Sequence, residues 1–479
     1  MVGITSYGAY IPWHRINRMT IYMSIGFVNP AAIMPGEKAV ANYDEDSLTM
    51  AVNAGMDCIK GMDRSKIDGI YLATTTGPFK ERQNAGIIST ALDIKPEART
   101  ADFTASVKAG TTALLAAYDA VKAGTAKNVL VCASDCRLGP GGSYQEEMYG
   151  DGAAAVQIGK NNVIAEVIGS HSTSYDFIDH WRIDGERFNR TGEDRFTRDA
   201  GFSRFTSETI GGLMKKCKLN PQDISKVCYP CLYPRPHTKI GQELGFQPNQ
   251  IQDHMFTTVG FAGAASPLMI LVAALEDAKP GDKIIVASYG NGGDAILLEV
   301  TPEIEKIEAK KGIKKSLANR KDLASYNLMV TFNKVLTIDV AGRGEEFFRT
   351  STTILWRDRK KLLGLIGTKC KKCKTPQWPP QRVCINPKCG AIDQMDEYRF
   401  SDLPGRLFTY TGDMLAFSPT PPEMYGMIDF DGGGRALFNI TDCNLDDLKV
   451  NIPIEMTFRK RWEAPGFVGY GWKGTPIKG

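Results

Sequence analysis

Two stretches of this sequence share one pattern, and together they decide its fold. Residues 50–76 are MAVNAGMDCIKGMDRSKIDGIYLATTT, and residues 211–234 are GGLMKKCKLNPQDISKVCYPCLYP. Each contains an amphipathic helix, a short turn with an Asp-Ile or Ile-Asp pair, and then a buried strand. A second theme recurs, because NVLVCASD (128–135) and KIIVASYG (283–290) each follow a helix that ends in Ala, Lys and Gly. The sequence therefore predicts an internally duplicated, layered α/β domain.

The composition changes along the chain and predicts further parts. The α/β pattern covers residues 1–302. Residues 303–345 are rich in charge and lack an apolar stripe, which predicts a solvated helix or a linker. Residues 346–400 are expected to form a helical lead-in and a metal-binding ribbon. Residues 401–479, with short strands between Gly and Pro turns, are expected to form a small all-β module.

Bulk properties exclude several classes of protein. Hydrophobic residues make up 43% and charged residues 23% of the 479 residues, which is typical of soluble globular proteins with several domains. We expect no membrane-spanning segment and no secretion signal, because the N-terminus alternates like a strand. A net charge of +4 without a basic-aromatic cluster argues against nucleic-acid binding. Most of the 11 cysteines are scattered among apolar neighbours, so a cytoplasmic location is predicted.

Four cysteines form one compact cluster. The stretch KCKKCKTPQWPPQRVCINPKC (369–389) holds them in two close pairs, as two knuckles that can share one tetrahedral zinc ion. A closed shell of four thiolates leaves no position for substrate, so we interpret the zinc as structural. The alternatives are four free thiols and a redox CxxC pair, and the latter lacks a βαβ setting. The predicted zinc ligands are Cys370, Cys373, Cys384 and Cys389.

The first 300 residues resemble a known family. GAYIPWHRINRMTI (8–21), GEKAVANYDEDSLTMAVNAG (36–55) and KIIVASYGNGGDA (283–295) are similar to bacterial and archaeal 3-hydroxy-3-methylglutaryl-CoA synthases. The C-terminal part resembles zinc-ribbon/OB-fold proteins that accompany thiolases and acyl-CoA synthases. The resemblance implies the five-layered α/β thiolase fold with duplicated halves, followed by a zinc ribbon and an OB-fold β-barrel. It also implies a homodimer and a coenzyme A thioester as substrate, bound where the two halves meet.

The sequence departs from this family at the residues that carry its chemistry. The family's nucleophilic cysteine, at the start of a buried helix, corresponds here to Val107, which cannot form an acyl-enzyme. A shift of one residue would offer Ser106, which we interpret as a helix-start residue. The positions that correspond to the family's catalytic histidine and asparagine hold Pro230 and Gly260. The general-base glutamate corresponds to a position within Thr74–Thr76.

Backbone donors remain even though these side chains are lost. N–H groups at the helix start and in the 290–293 loop are expected to stabilise an enolate oxygen as well as a tetrahedral oxyanion. An aldol or retro-aldol reaction needs only such donors and one acid/base, a role that tyrosine can fill. The predicted oxyanion and substrate-binding residues are Val107, Gly290 and Gly292, and the predicted catalytic residues are Tyr229, Tyr233 and Asn291.

Other interpretations of these residues stay open at this stage. Packing explains Tyr229 and Tyr233 as well as catalysis does. Surface or capping roles explain His237 and His254. Cys231 or Ser106 recruited as a nucleophile would preserve a Claisen condensation. Loss of every catalytic group also fits a non-catalytic acyl-CoA-binding scaffold, or a subunit that organises a partner acyl-CoA enzyme.

Overall fold

The computed structural model describes residues 1–25, 34–339 and 350–478. The chain divides into two compact units. The first comprises Met1–Asn42, Asp46–Ser89 and Ile94–Met329, and the second comprises Tyr43–Glu45, Thr90–Asp93 and Val330–Gly479. The boundary predicted after residue 345 lies outside the described residues.

The strands of the first unit are β1 Gly3–Tyr10, β2 His14–Asn17, β3 Glu37–Val40, β4 Gly69–Ala73, β5 Arg99–Phe103, β6 Val129–Asp135, β7 Gly152–Gly159, β8 Ala165–Ser174, β9 His180–Trp181, β10 Arg190–Thr191, β11 Lys226–Cys228, β12 Lys283–Ala287, β13 Gly292–Val300 and β14 Lys321–Asp322. The helices from the N-terminus to residue 332 are α1 Arg18–Ile25, α2 Ser47–Cys58, α3 Asn84–Ala91, α4 Ala109–Lys122, α5 Tyr144–Met148, α6 Asp194–Phe196, α7 Arg204–Cys217, α8 Pro234–Glu243, α9 Ser266–Leu275, α10 Gly312–Ala318 and α11 Tyr326–Phe332.

The main sheet confirms the duplication. Its strands lie in the order β11-β12-β13-β8-β1-β7-β6-β4-β5. In the first half β4 runs parallel to β6, and β6, β7 and β1 then pair antiparallel. In the second half β11 runs parallel to β12, and β12, β13 and β8 pair antiparallel. Each repeated stretch of sequence thus supplies the same helix and strand, α2 with β4 and α7 with β11.

Two helices form the central layer of this unit. Every residue of α9 is buried, which fits a helix with sheet on both sides. The partner helix α4 packs closely against the 3₁₀ turn Gly263–Ala265 that leads into α9, since a Cβ on Gly110 would lie 2.3 Å from the Ala264 carbonyl oxygen. Helices α2 and α7 cover the outer faces of the two sheet halves. The layers α, β, α, β, α are those of the predicted fold.

Part of the charged segment after residue 302 packs onto the first unit. The N–H of Gly312, at the start of α10, donates to Asp57 Oδ2 at 2.9 Å, and that of Ile313 donates to Glu276. The Ile313 side chain is buried. Two carboxylates thus anchor the first turn of the helix, which differs from the solvated helix or linker that the charge pattern predicted.

The second unit contains α12 Thr352–Arg357 and α13 Arg359–Gly364, followed by two small sheets. Their strands are β15 Ile366–Cys370, β16 Pro376–Gln377, β17 Met395–Arg399, β18 Gly405–Asp413, β19 Glu423–Phe430, β20 Arg435–Asn439, β21 Pro453–Ala464 and β22 Phe467–Pro476. The first sheet has the order β16-β15-β17, and the second has the order β20-β19-β18-β21-β22. A bridge between Ile440 and Gly474 joins the two ends of the five-stranded sheet. The C-terminal module is therefore a small closed barrel.

A buried arginine organises the second unit. Arg459 on β21 has no exposed surface, and its guanidinium pairs with three carboxylates, those of Asp44, Glu45 and Asp442. Lys473 on β22 binds Asp44 at 2.8 Å. These pairs hold the segment Tyr43–Glu45 within the unit, although it lies more than 400 residues before Arg459 and Lys473 in the chain.

Candidate active site and zinc centre

The turn before α4 is where the resemblance placed a nucleophile. Val107 is buried, and the turn begins with Ala105 in a left-handed conformation (φ 68°). The Ser106 hydroxyl donates to the Gly290 carbonyl oxygen at 3.1 Å and accepts from the Lys108 N–H at 3.4 Å. Ser106 therefore fastens the turn to the 290–293 loop, in agreement with the helix-start role expected for it.

The 290–293 loop contacts this turn directly. A Cβ on Gly290 would lie 2.9 Å from the Lys108 nitrogen and 3.0 Å from Val107 Cγ2, so only glycine allows the approach. Within the described residues, the N–H groups of Val107 and Asn291 have no hydrogen-bond acceptor. The predicted donor Gly290 is not available, because its N–H donates to the Gly292 carbonyl oxygen at 2.9 Å. The N–H groups of Val107 and Asn291 are the two on these adjoining segments that could donate to an oxyanion.

The Asn291 side chain supports the loop. Its Nδ2 donates to the Phe177 carbonyl oxygen at 2.9 Å, while its own carbonyl oxygen accepts from Tyr175 at 3.0 Å. With φ at 51°, Asn291 adopts the left-handed conformation that asparagine tolerates better than most residues. The side-chain amide is thus hydrogen-bonded to the backbone, and any contribution of Asn291 to the reaction would come from its backbone N–H.

A lysine and an aspartate, which the sequence reasoning missed, join α4 to the same loop. Asp294 is buried and accepts from the hydroxyls of Thr111 and Thr112 at 2.9 and 2.8 Å. Lys108 Nζ donates to the Thr173 carbonyl oxygen at 3.1 Å and lies 3.9 Å from Asp294. The signal was present in the motifs KAGTT and GNGGDA, but their pairing exists only in the tertiary structure.

Tyr233 presents its hydroxyl within an aromatic cluster that also includes Val107. Its ring stacks on Tyr144, with centroids 5.8 Å apart, and lies 5.9 Å from Phe202. The hydroxyl has a weak contact, 3.4 Å, with Thr197 Oγ1. Burial raises the pKa of Tyr233 to about 12, so its hydroxyl carries a proton at neutral pH.

Tyr229 has a different environment from Tyr233. Its buried hydroxyl donates to the His237 carbonyl oxygen at 2.8 Å, and the His237 ring stacks on it at 4.0 Å. His254 packs edge-on against His237. Burial lowers the pKa of His237 to about 3, so this imidazole is neutral. The surface role expected for His237 is wrong, because the stack with Tyr229 buries it.

The remaining sequence positions hold no reactive group aimed at a substrate. Cys231 is buried, and burial raises the pKa of its thiol, which opposes formation of a nucleophilic thiolate. The hydroxyls of Thr74, Thr75 and Thr76 all bind the buried carboxylate of Asp135. The segment that corresponds to the family's general base is thus hydrogen-bonded to a buried carboxylate, which also accepts from the Ala264 N–H at 2.7 Å.

The four predicted zinc ligands lie together in the second unit. Their sulfur atoms lie within 4.8 Å of one another. Cys370 and Cys389 are separated by 3.8 Å, and Cys373 and Cys384 by 3.4 Å. A tetrahedron with Zn–S bonds of about 2.3 Å has edges of about 3.8 Å, so the cluster fits one zinc ion.

Comparison with known proteins identifies relatives of both units. Residues 357–393 match the family described as "ChsH2, rubredoxin-like zinc ribbon domain", and residues 398–459 match "ChsH2, C-terminal OB-fold domain". The chain is 32% identical to a hydroxymethylglutaryl-CoA synthase of Methanopyrus kandleri over 317 residues, which cover 64% of this chain and 90% of the relative. It is 31% identical to that of Methanocaldococcus jannaschii over 347 residues, covering 70% and 99%.

Solved structures show the same fold. An HMG-CoA synthase complexed with CoA superimposes with a TM-score of 0.62 at 19% identity, covering 73% of this chain and 95% of that one. The 3-oxoacyl-[acyl-carrier-protein] synthase III from Aquifex aeolicus gives a TM-score of 0.56 at 20% identity, covering 62% and 100%. Within the described residues, no helix has the length and apolar character needed to cross a bilayer.

Proposed function

This chain belongs to the hydroxymethylglutaryl-CoA synthase family of the thiolase superfamily, and on that premise we propose that it makes or breaks a carbon–carbon bond in an acyl-CoA without a covalent acyl-enzyme. The observation that carries the proposal is the turn before α4, where Val107 is buried and two backbone N–H groups have no acceptor within the described residues. The resemblance predicts that Val107 stands at the position of the family's nucleophile. The substrate class that suits these donors is a β-hydroxyacyl-CoA.

The proposed reaction is an aldol cleavage or its reverse. In the cleavage direction the Tyr233 oxygen, as phenolate, takes the proton of the β-hydroxyl. The Cα–Cβ bond breaks, and its electron pair passes to the thioester as an enolate whose oxygen is held by the N–H groups of Val107 and Asn291. The proton taken by Tyr233 returns to Cα, directly or through water, which regenerates the phenolate and releases a shorter acyl-CoA and an aldehyde or ketone. In the reverse direction Tyr233 donates its proton to the new alkoxide.

Tyr233 suits the acid/base role better than Tyr229. The Tyr229 hydroxyl donates to a backbone carbonyl oxygen at 2.8 Å, whereas that of Tyr233 lies 3.4 Å from Thr197 Oγ1 and near the Asp194 carboxylate, which adds to burial in raising its pKa. A protonated Tyr233 at neutral pH is ready to act as an acid, which favours bond formation. The buried thiol of Cys231 and the engaged hydroxyl of Ser106 oppose a Claisen reaction.

A non-catalytic scaffold is the second candidate. The observation that favours it is the engagement of polar groups in structural bonds, since Thr74–Thr76 bind Asp135 and the Asn291 amide binds Phe177. Such a protein would hold an acyl-CoA or organise a partner acyl-CoA enzyme. Binding without turnover would distinguish it from the aldol enzyme.

Other parts of the proposal concern assembly and cofactor. The four cysteines would hold a structural zinc ion that stabilises the ribbon and takes no part in the reaction. Strand β5 ends the main sheet with its side chains half-buried, and its free edge suits pairing with a second copy as a homodimer. A cytoplasmic location and the absence of nucleic-acid and membrane partners stay predictions from the sequence.

The decisive experiment incubates the protein with a panel of β-hydroxyacyl-CoA and β-ketoacyl-CoA thioesters and follows products and protein mass by mass spectrometry. A shorter acyl-CoA with an aldehyde or ketone, and no adduct on the protein, supports the aldol reaction. Tyr233→Phe is expected to abolish turnover and keep acyl-CoA binding, while Tyr118→Phe on α4 changes neither. An acyl adduct supports the Claisen reaction, and silence across the panel supports the scaffold.

A further inference from the structure

His180 and Asp179 form a histidine–carboxylate pair at the start of the two-stranded ribbon β9–β10. Asp179 is buried, and its Oδ2 lies 3.0 Å from His180 Nδ1, while its Oδ1 accepts from the His180 backbone N–H at 2.7 Å. A proton on Nδ1 donates to this carboxylate, which leaves Nε2 of the neutral imidazole as a proton acceptor. The His180 side chain is 18% exposed, and in the part of the chain that the structure describes its Nε2 has no hydrogen-bond partner. One ring nitrogen is thus held, and the other is accessible.

An ionised carboxylate beside the imidazole favours proton uptake. Burial alone would raise the pKa of Asp179, but the hydrogen bonds and the charge of His180, together with a hydrogen bond from Tyr289, outweigh burial and lower this pKa. The carboxylate therefore stays charged at neutral pH and stabilises the imidazolium that forms when Nε2 takes a proton. This is the arrangement of a general base with the group that orients it.

Tyr289 connects this pair to the 290–293 loop. Its hydroxyl donates to Asp179 Oδ2 at 2.7 Å, and the residue directly precedes the loop in the chain. Its ring lies 5.5 Å from that of Phe202, and the Tyr233 ring lies 5.9 Å from the same phenylalanine. One carboxylate oxygen thus contacts both the imidazole and the residue that leads into the loop with the proposed oxyanion donor.

The ribbon is fastened to two other parts of the candidate site. Its strands pair His180 with Thr191. Thr191 Oγ1 accepts from Gln145 Nε2 at 3.0 Å, and Gln145 lies on α5, whose first residue stacks on the proposed acid/base tyrosine. Arg182 donates to the Thr75 carbonyl oxygen at 2.7 Å, in the segment that corresponds to the family's general base. The ribbon that carries the imidazole therefore lies among the elements that form the candidate site.

We propose that His180 removes the Cα proton of the acyl-CoA in the direction of bond formation and returns a proton to Cα in the direction of cleavage. The inference rests on the proposed function and deepens it. Tyr233 acts on the β-oxygen, so a second group is needed to exchange the proton at Cα. Asp179 is the positioning residue of this base.

The proton balance closes with these two groups. In bond formation the Cα–H bond breaks, its proton passes to His180 Nε2, and its electron pair forms the enolate, whose oxygen is held by the N–H groups of Val107 and Asn291. The enolate carbon bonds to the carbonyl carbon of an aldehyde or ketone, and Tyr233 protonates the resulting alkoxide. The imidazolium then returns its proton through water to the Tyr233 phenolate, which restores both groups. In cleavage the steps are reversed, so the proton that Tyr233 takes reaches Cα by way of His180.

Deuterium exchange at Cα of acetyl-CoA tests His180 separately from the aldol reaction, because exchange needs only a base and the oxyanion donors. In D₂O, followed by mass spectrometry, the wild-type protein is expected to exchange the methyl protons. His180→Gln should lower the exchange rate by about 10²-fold or more, and Asp179→Asn by about tenfold or more. Tyr233→Phe should keep the wild-type rate, and so should the matched control His171→Gln on β8. Added imidazole should restore exchange to His180→Ala.

Two outcomes would overturn the inference and leave the aldol reaction in place. The first is wild-type exchange in a folded His180→Gln variant, as judged by a thermal melt. The second is turnover of a β-hydroxyacyl-CoA by a protein that exchanges no Cα proton of acetyl-CoA. Exchange that depends on His180 without any aldol turnover would refute the aldol reaction and support His180 as the base. Absence of both exchange and turnover would overturn both proposals.

Discussion

Gly290→Ala tests the proposed oxyanion site most directly. The new Cβ would lie 2.7 Å from Ser106 Oγ, 2.9 Å from the Lys108 nitrogen and 3.0 Å from Val107 Cγ2. Ordinary contacts of a Cβ are 3.4 Å or longer, and the Lys108 nitrogen belongs to the backbone of a helix start that cannot rotate away. The loop must therefore move by roughly 0.5 Å or more, which separates the N–H groups of Val107 and Asn291.

The expected cost follows from this separation. Displacing one of two oxyanion donors lowers kcat by about 10²–10³-fold, equivalent to about 2.7–4 kcal/mol. Binding of the substrate changes little, because the donors act on charge that develops during the reaction. Overpacking lowers the free energy of unfolding by about 1–3 kcal/mol, which leaves a folded protein.

Steady-state kinetics with the most active thioester of the panel would measure this effect. The matched control is Gly211→Ala on α7, whose Cβ would meet only Leu244 Cδ2 at an ordinary 3.6 Å. Thermal melts of both variants report the accompanying change in stability. If Gly290→Ala retains full kcat while Gly211→Ala also does, the two N–H groups do not stabilise the transition state and the proposed site is refuted.

Three further predictions concern stability and pH. Arg459→Met should lower the free energy of unfolding by about 3–5 kcal/mol, because it leaves buried carboxylates without their partner. Urea denaturation followed by Trp472 fluorescence measures this free energy. A loss below about 1 kcal/mol would contradict the buried network. Burial alone would raise the pKa of Asp44, but the charges of Lys473 and Arg459 outweigh it and lower this pKa. The ion pairs of Asp44 therefore stabilise the fold above pH 3.8, and this stabilisation is lost as the pH falls further. The same denaturation series at decreasing pH should show the loss. Chelation of zinc should unfold the ribbon, because the metal supplies its folding energy. The far-UV circular dichroism signal that residues 1–300 contribute should persist. An intact ribbon without zinc would contradict a structural metal.

Much of the fold was readable from local sequence pattern. The two helix-strand repeats required only apolar periodicity and turn residues, and those signals depend on near neighbours in the chain. The zinc cluster was equally readable, because four cysteines at ribbon spacing bring their own ligands together within 20 residues. Loss of the nucleophile stays a prediction from the sequence, which rests on the single position Val107.

The packing around the candidate site could not be predicted from local sequence pattern in the same way. Packing and catalysis explain Tyr229 and Tyr233 equally well in the sequence. In the structure the Tyr229 hydroxyl donates to the His237 carbonyl oxygen on the next helix, whereas that of Tyr233 lies 3.4 Å from Thr197 Oγ1. His237 was expected at the surface and is buried under Tyr229.

By itself, then, the sequence determined the duplicated α/β architecture and the cysteine cluster that fits zinc, because each depends on residue type at short spacing. Only the tertiary structure decided which partners the hydroxyls of Tyr229 and Tyr233 have. It also decided that Asp44 belongs with Arg459. Those outcomes depend on the partners that distant segments bring to each polar group, and burial makes every such pairing or omission count in kcal/mol.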